Sequence, residues 1–275
     1  MLTRNSTEIA GDDGEADAPV QIVEGDPATG FLILCDHATN IIPRSYDGLG
    51  LPPGEMGRHI AYDIGARDVA LELAAGLGAP AVLSRFSRLL IDPNRGADDP
   101  TLVMRIADGA VVPGNAAVDP DEIEARRRCF HEPYHRAIDV AIERALVAGY
   151  PPALFSVHSF TPVFHGRARP WQATVLWDTD PRLPLPLLKA LEAEGNLLVG
   201  ENVPYSGRLQ GDTLHTHGTC RGLANALIEI RQDQIADERD ARDWGRRLAR
   251  ILGGLAGTPG LNEICDPGRG RAVEA

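Results

Sequence analysis

Short apolar runs recur along this chain and alternate with longer stretches of helical periodicity. That alternation, more than any other feature, narrows the folds open to it. FLILCD (31–36), PAVLS (80–84), LLID (89–92), ALFSVH (153–158), ATVLWD (173–178), LLVG (197–200) and ANALIEIR (224–231) each read as a strand. Between them, 63–78 spaces Ile64, Val69, Leu71, Leu73 and Leu77 among small residues and stops at Gly76 and Gly78, as a helix terminus does. Residues 119–149 open with acids and repeat Ile123, Phe130, Tyr134, Ile138, Ala141 and Ala145 along one face, with Pro133 expected to kink or split the helix. Residues 186–194 and 237–255 are further predicted helices. Strands separated by helices imply an α/β fold with a mixed, mostly parallel central sheet flanked by helices. Such a sheet places ligands at the carboxyl ends of its strands.

The chain shows no internal repeat. Residues 1–18 are acidic and polar, and 258–275 are similar in character, so the expected organisation is a loose tail, one domain over 19–257 and a second tail. The formal net charge of -12 argues against nucleic acid or an anionic membrane as partner. The densest basic clusters, Arg126–Arg128 and Arg246–Arg250, have acids close by and read as solvated helix faces. There is no run of about 18 apolar residues and no apolar secretory segment. Cys35, Cys129, Cys220 and Cys265 are scattered without CxxC spacing, which fits a reduced cytoplasm.

Three of the runs lead into reactive residues: His37 after FLILCD, His158 after ALFSV, and Glu229 after ALI. Neighbouring parallel strands bring their carboxyl ends together, so two histidines and a glutamate there can hold a metal and its base; the plainer reading is histidines capping loops. A catalytic zinc takes about three His or carboxylate ligands, and an unligated carboxylate beside it moves the proton. RFSRLLIDPNR (85–95) supplies Asp92, Asn94 and Arg95, either an Asp–Arg brace or a group in which Arg95 grips a carboxylate. Asp63 fits a helix N-cap or a metal ligand. Tyr205 lies in a polar loop, ENVPYSG, that suits a turn or a substrate contact. His215 and His217 alternate as in a short strand. His131 and His135 are four apart on a helix, a spacing open to zinc or to buried, hydrogen-bonded rings.

Taken together, CDHATNIIP (35–43), HIAYDIGA (59–66), SRLLIDPNR (87–95), PYH (133–135), VHSFTPV (157–163), RPW (169–171), NVPYSG (202–207) and IEIRQD (228–233) resemble the N-formylglutamate amidohydrolase family, in the family's order. The family is similar in fold to the zinc carboxypeptidases and to the amidases that deacylate N-acyl amino acids. The resemblance implies zinc on His37 and His158, Glu229 as general base, and substrate contacts from Asp92, Asn94 and Arg95. Carboxypeptidase-like enzymes take a carboxylate ligand three residues after the first His, where this chain has the neutral Asn40. Asp63, in another motif shared with the family, is therefore the expected third ligand, with Asp36 in reserve; side chains adjacent in a strand leave on opposite faces, which counts against Asp36.

The expected function is zinc-dependent hydrolysis of an N-formyl or small N-acyl amino acid, an acidic one. Arg95 with Arg88 would anchor the substrate carboxylate or steady the oxyanion, and Arg169 would add positive charge. Two rival readings stand beside it: a thiol amidohydrolase with Cys35 as nucleophile, and a non-catalytic metal- or ligand-binding protein on the same fold.

Overall fold

Phe31–Cys35 form strand β2 with every side chain buried. Successive side chains of a strand leave on opposite faces, so such a strand must be covered on both. In the computed structural model, which describes residues 18–265, it is. Phe31, Ile33 and Cys35 join one core cluster with Val69, Leu73, Trp244 and Leu248. Leu32 and Leu34 join another with Val82, Tyr134, Ile138 and Ile142.

The strands are β1 (Val20–Val23), β2, β3 (Ala81–Ser84), β4 (Ile106–Ala107), β5 (Ala110–Val111), β6 (Ala153–Phe160), β7 (Val163–Phe164), β8 (Arg167–Ala168), β9 (Ala173–Leu176), β10 (Val199–Glu201) and β11 (Asn225–Arg231). The helices are α1 (Ala66–Leu77), α2 (Pro113–Ala116), α3 (Pro120–Arg126), α4 (Glu132–Val147), α5 (Pro184–Glu192), α6 (Thr213–His217) and α7 (Glu238–Leu255). Among the described residues a seven-stranded sheet runs β1-β3-β2-β6-β11-β9-β10, and β4–β5 and β7–β8 are separate two-residue ribbons. Its middle, β3-β2-β6-β11, is parallel; β1 and β9 pair antiparallel to β3 and β11. The sheet is thus mixed and mostly parallel, as the alternation of elements implied. Strand β1, VQIV, was not singled out by sequence because its side chains are only part-buried.

The helix ends follow local chemistry. Asp119, Asp212 and Asp237 accept from the N–H three residues on and cap α3, α6 and α7. Helix α1 stops at Gly78 with φ 69°. The long helix expected over 119–149 is split: a π-helical turn, Arg127–His131, separates α3 from α4 immediately before Pro133. Proline's missing N–H breaks the ladder there.

Three readings are corrected. LLID (89–92) is a turn, not a strand: Leu89, Leu90 and Ile91 fill the core beside α4, where a short apolar run packs as well as in a sheet. His215 and His217 lie on helix α6 rather than in a strand. His158 and Glu229 lie within β6 and β11, as the strands read at 153–158 and 224–231 have them, with β6 running on to Phe160. Residues 258–265, assigned to the tail by composition, pack on the domain: Leu261 is 2% exposed, and the Asn262 amide donates to the carbonyls of Gly30 and Pro151. The N-terminal tail up to 17 and residues 266–275 lie outside the described residues.

Phe155, in the middle of β6, is fully buried. Phe155→Ala is expected to cost about 3–5 kcal/mol, the usual range for emptying an aromatic site in a core, read as a lower urea midpoint with an unchanged slope.

Candidate active site

Strands β6 and β11 pair in register, with His158 opposite Glu229. The side-chain period of two therefore sends Ser156 and His158 of one strand, and Leu227 and Glu229 of the other, to the same face. His37 and Asp36 lie in the turn after β2. Asp63 precedes α1, whose N-cap position is held by Gly65, not Asp63; Asp63 turns inward and is 4% exposed.

His37, Asp63 and His158 offer one donor atom each within 4.8 Å of one another, the one such trio among the described residues. The ring centroids of the two histidines are 5.0 Å apart. Asp63 Oδ2 lies 2.8 Å from His158 Nδ1 and 3.3 Å from His37 Nδ1. The opposite nitrogens are tied down: His37 Nε2–H donates to Asp92 Oδ1 (2.7 Å) and His158 Nε2–H to Asp36 Oδ2 (2.8 Å). Carboxylates only accept, so both Nε2 atoms carry a proton, and both Nδ1 atoms face Asp63, where a second proton or a cation can sit. A carboxylate behind each imidazole is the usual support of a metal-ligating histidine.

Asp36 is a hub as well as a support. Its Oδ1 accepts from the Tyr134 hydroxyl (3.0 Å) and Thr213 Oγ1 (2.5 Å), and its Oδ2 also accepts from Ser156 Oγ (2.8 Å). Asp92 accepts from His37, from the Asn94 N–H and from Arg88 Nε and Nη2.

The electrostatics of the trio favour a cation. Burial opposes ionisation of Asp36 and Asp63, yet the neighbouring histidines hold both carboxyls below the usual range. Burial likewise raises Asp92, and Arg88 outweighs it. Burial also lowers His158, but hydrogen bonds to Asp36 and Asp63 more than compensate and raise it well above an ordinary histidine. Three buried carboxylates with one arginine leave a surplus of two negative charges around the trio. A pocket that draws a proton this strongly draws a divalent ion by the same field. Two imidazoles and a carboxylate form a donor set that suits zinc, so the residues present fit such an ion.

Glu229 is 9% exposed, and its buried Oε2 has no hydrogen-bond partner. Burial pushes its carboxyl up to about 7. It lines a cleft of about 350 Å³ together with His37, Asp63, His158, Arg88, Asn94, Arg95 and Tyr205, a size suited to a small molecule.

The remaining sequence candidates divide. Arg88 reaches the cleft, but its Nε and Nη2 are taken by Asp92 and its Nη1 lies 3.6 Å from Asp63. Arg95 Nη1 donates to its neighbour's carbonyl, and Asn94 Oδ1 accepts from the Thr213 N–H. Arg169 is not part of the cleft wall. It stacks on Phe164 (4.7 Å) and Tyr205 (5.1 Å) and donates to the Tyr205 hydroxyl (2.9 Å), standing behind that ring. Asn40 donates to the Met56 carbonyl, away from the trio. Cys35 belongs to the sheet core beneath α1, and burial pushes its thiol up; it cannot serve as a nucleophile in the cleft, and the thiol reading is set aside.

Sequence reasoning missed His59, Asp212 and Gln232 in the cleft wall, and it missed the supporting roles of Asp36 and Asp92. His59 and Asp36 sit in quoted motifs, but nothing in spacing tells a supporting carboxylate from a ligand. The cleft loop carrying Tyr205 also depends on Gly207, where an added Cβ would meet the Trp177 backbone at 2.2 Å. Asn202 Oδ1 clasps that approach by accepting from both the Trp177 and Gly207 N–H groups.

Comparison with known proteins agrees with this frame. A gene product of Agrobacterium tumefaciens has a similar crystal structure (TM-score 0.81, 34% identity, covering 88% of this chain and 96% of that one). N-formylglutamate amidohydrolase from Ralstonia eutropha shares the fold at TM-score 0.63 and 20% identity, covering 87% and 97%. No curated protein matches significantly. Residues 29–236 match the N-formylglutamate amidohydrolase family, and with most of the described domain inside that match, the chain belongs to this hydrolase family.

Proposed function

We propose that this protein is a zinc-dependent amidohydrolase that removes the N-formyl, or a small N-acyl, group from an acidic amino acid. The observation that carries the reading is the pairing of the His37–Asp63–His158 trio with a buried Glu229 oxygen that has no partner in the same cleft. His37 Nδ1, His158 Nδ1 and an Asp63 oxygen would hold the ion. When bound, a divalent ion polarises the scissile carbonyl and brings the pKa of a water in reach to roughly 7.

The chain's own residues do the rest. Asp36 and Asp92 keep the two rings oriented. Glu229 takes the proton of the attacking water at Oε2. It delivers that proton to the amide nitrogen as the C–N bond breaks, leaving formate and the free amino acid. Arg95 and the Asn94 amide, with the Tyr205 hydroxyl opposite, anchor the substrate carboxylate; Arg169 steadies Tyr205 from behind. Arg88, held by Asp92, lends its remaining charge to the oxyanion, an effect worth about 3 kcal/mol per donor in comparable sites. A strongly acidic protein thereby presents an anionic substrate with a locally positive wall.

The test is formate release from formylated Glu, Asp and Gln by the zinc-loaded protein, with acetyl-Glu as comparison. Turnover is expected on the formylated acidic substrates. Stoichiometric zinc binding without hydrolysis of any of them would leave a metal-binding protein instead.

A further inference from the structure

Four of the chain's eight histidines gather away from the trio. His131, His135, His215 and His217 line a second cleft of about 710 Å³ on the other side of the segment that follows Asp92. Their donor atoms do not converge as those of His37, Asp63 and His158 do. Two of the rings are instead turned on backbone carbonyls. His135 Nε2 lies 3.0 Å from the Pro93 carbonyl, and His131 Nε2 lies 3.0 Å from the Arg95 carbonyl.

We propose that His131 and His135 are positioning residues, two imidazole N–H groups that clamp the carbonyls on either side of Asn94. The clamp holds Asp92–Arg95 in the shape that presents Asp92 to His37, and Asn94 and Arg95 to the cleft.

Carbonyl oxygens only accept, so both histidines carry their proton at Nε2. The π-helical turn and the start of α4 place them four residues apart with ring centroids 4.3 Å apart, on the side facing the segment. His135 is fixed in turn: its Nδ1 accepts from His217 Nε2–H at 2.8 Å. His217 Nδ1 lies 3.1 Å from Asp139 Oδ1, and Arg221 donates to the same oxygen. Burial pushes His135 down to about 3, which keeps its Nδ1 an acceptor. Thr213 Oγ1 also approaches the Pro93 carbonyl, at 3.4 Å, but its hydrogen goes to Asp36 at 2.5 Å. His135 is therefore the better-placed donor. Within the clamped segment the Asn94 N–H donates to Asp92 Oδ1 and Asn94 Oδ1 accepts from the Thr213 N–H. A slack Pro93 carbonyl would loosen both bonds and with them the support of His37.

The experiment compares His135→Phe, which keeps a ring without a donor, with His135→Gln, whose amide N–H reaches the position of Nε2. Both are made in the full chain. Amide hydrogen exchange at Asn94 and Thr213 is measured alongside zinc affinity by chelator competition and the kcat and KM of deformylation. His135→Phe is expected to speed exchange at both amides and to weaken zinc binding by about ten-fold or more, as loss of a support behind a metal-ligating histidine does. His135→Gln is expected to restore both. Unchanged exchange and affinity in His135→Phe, or no recovery in a folded His135→Gln, overturns the clamp. If His135→Phe does not fold, His131→Leu and His131→Gln make the same comparison at the Arg95 carbonyl. The zinc and kinetic readouts rest on the proposed function, whereas exchange does not. Faster exchange in a protein whose unaltered form binds no zinc upholds the clamp and refutes that function.

Discussion

Glu229→Gln is expected to lower kcat by about 10²–10⁴-fold, the usual contribution of a positioned base, with zinc content and unfolding midpoint close to those of the unaltered protein. The substitution keeps shape and volume and removes only the ability to take a proton. Glu229 Oε2 has no hydrogen-bond partner, and the residue lies in register beside His158 on β6, so no neighbour loses a partner when the charge goes. Burying a neutral amide costs less than burying an ion, and the fold is not expected to weaken. Deformylation assayed at saturating substrate, with metal content measured on the same sample, checks the result. Turnover near that of the unaltered protein removes Glu229 from the role of base.

Removing the ion is expected to abolish activity, and restoring zinc to return it. A ligand that binds only the folded state adds about 2.7 kcal/mol of stability at a hundred times its Kd, so zinc should also raise the unfolding midpoint of the stripped protein. His158→Ala tests the seat directly and is expected to lose stoichiometric zinc. It also strands Asp36 and Asp63 without their shared partner, and breaking a buried pair costs about 3–5 kcal/mol. Asp63→Asn is the milder companion, keeping volume while removing the charge both histidines face. Full activity in the presence of a strong chelator, with zinc shown to be absent, would sink the metal-dependent reading.

The fold was legible because a sheet covered on both faces writes its strands as near-continuous apolar runs, as at Phe31–Cys35 and, but for Ser156, Ala153–Val157. Leu89–Ile91 reads the same way and is a turn, since sequence records that a run is buried but not what buries it. His37 and His158 were legible as polar residues abutting such runs, and Asp63 came from the family resemblance. Whether a carboxylate meets a ring at Nδ1 or Nε2 depends on angles no spacing encodes, so Asp36 and Asp92 were seen without their part. Arg169 carried the right charge and the wrong depth: it spends its guanidinium on Phe164 and Tyr205.

The Asp36 carboxylate receives hydrogen bonds from α4, α6 and two residues of β6. Any change there must satisfy four donors at once, which leaves little freedom for drift. Leu176, Leu209 and Leu227 line the same cleft through apolar side chains that take no part in that web. In the proposed hydrolase the leucines are therefore free to be remodelled around a different acyl group, while the Asp36 web and the contacts of Arg95 and Asn94 to the substrate carboxylate stay as they are.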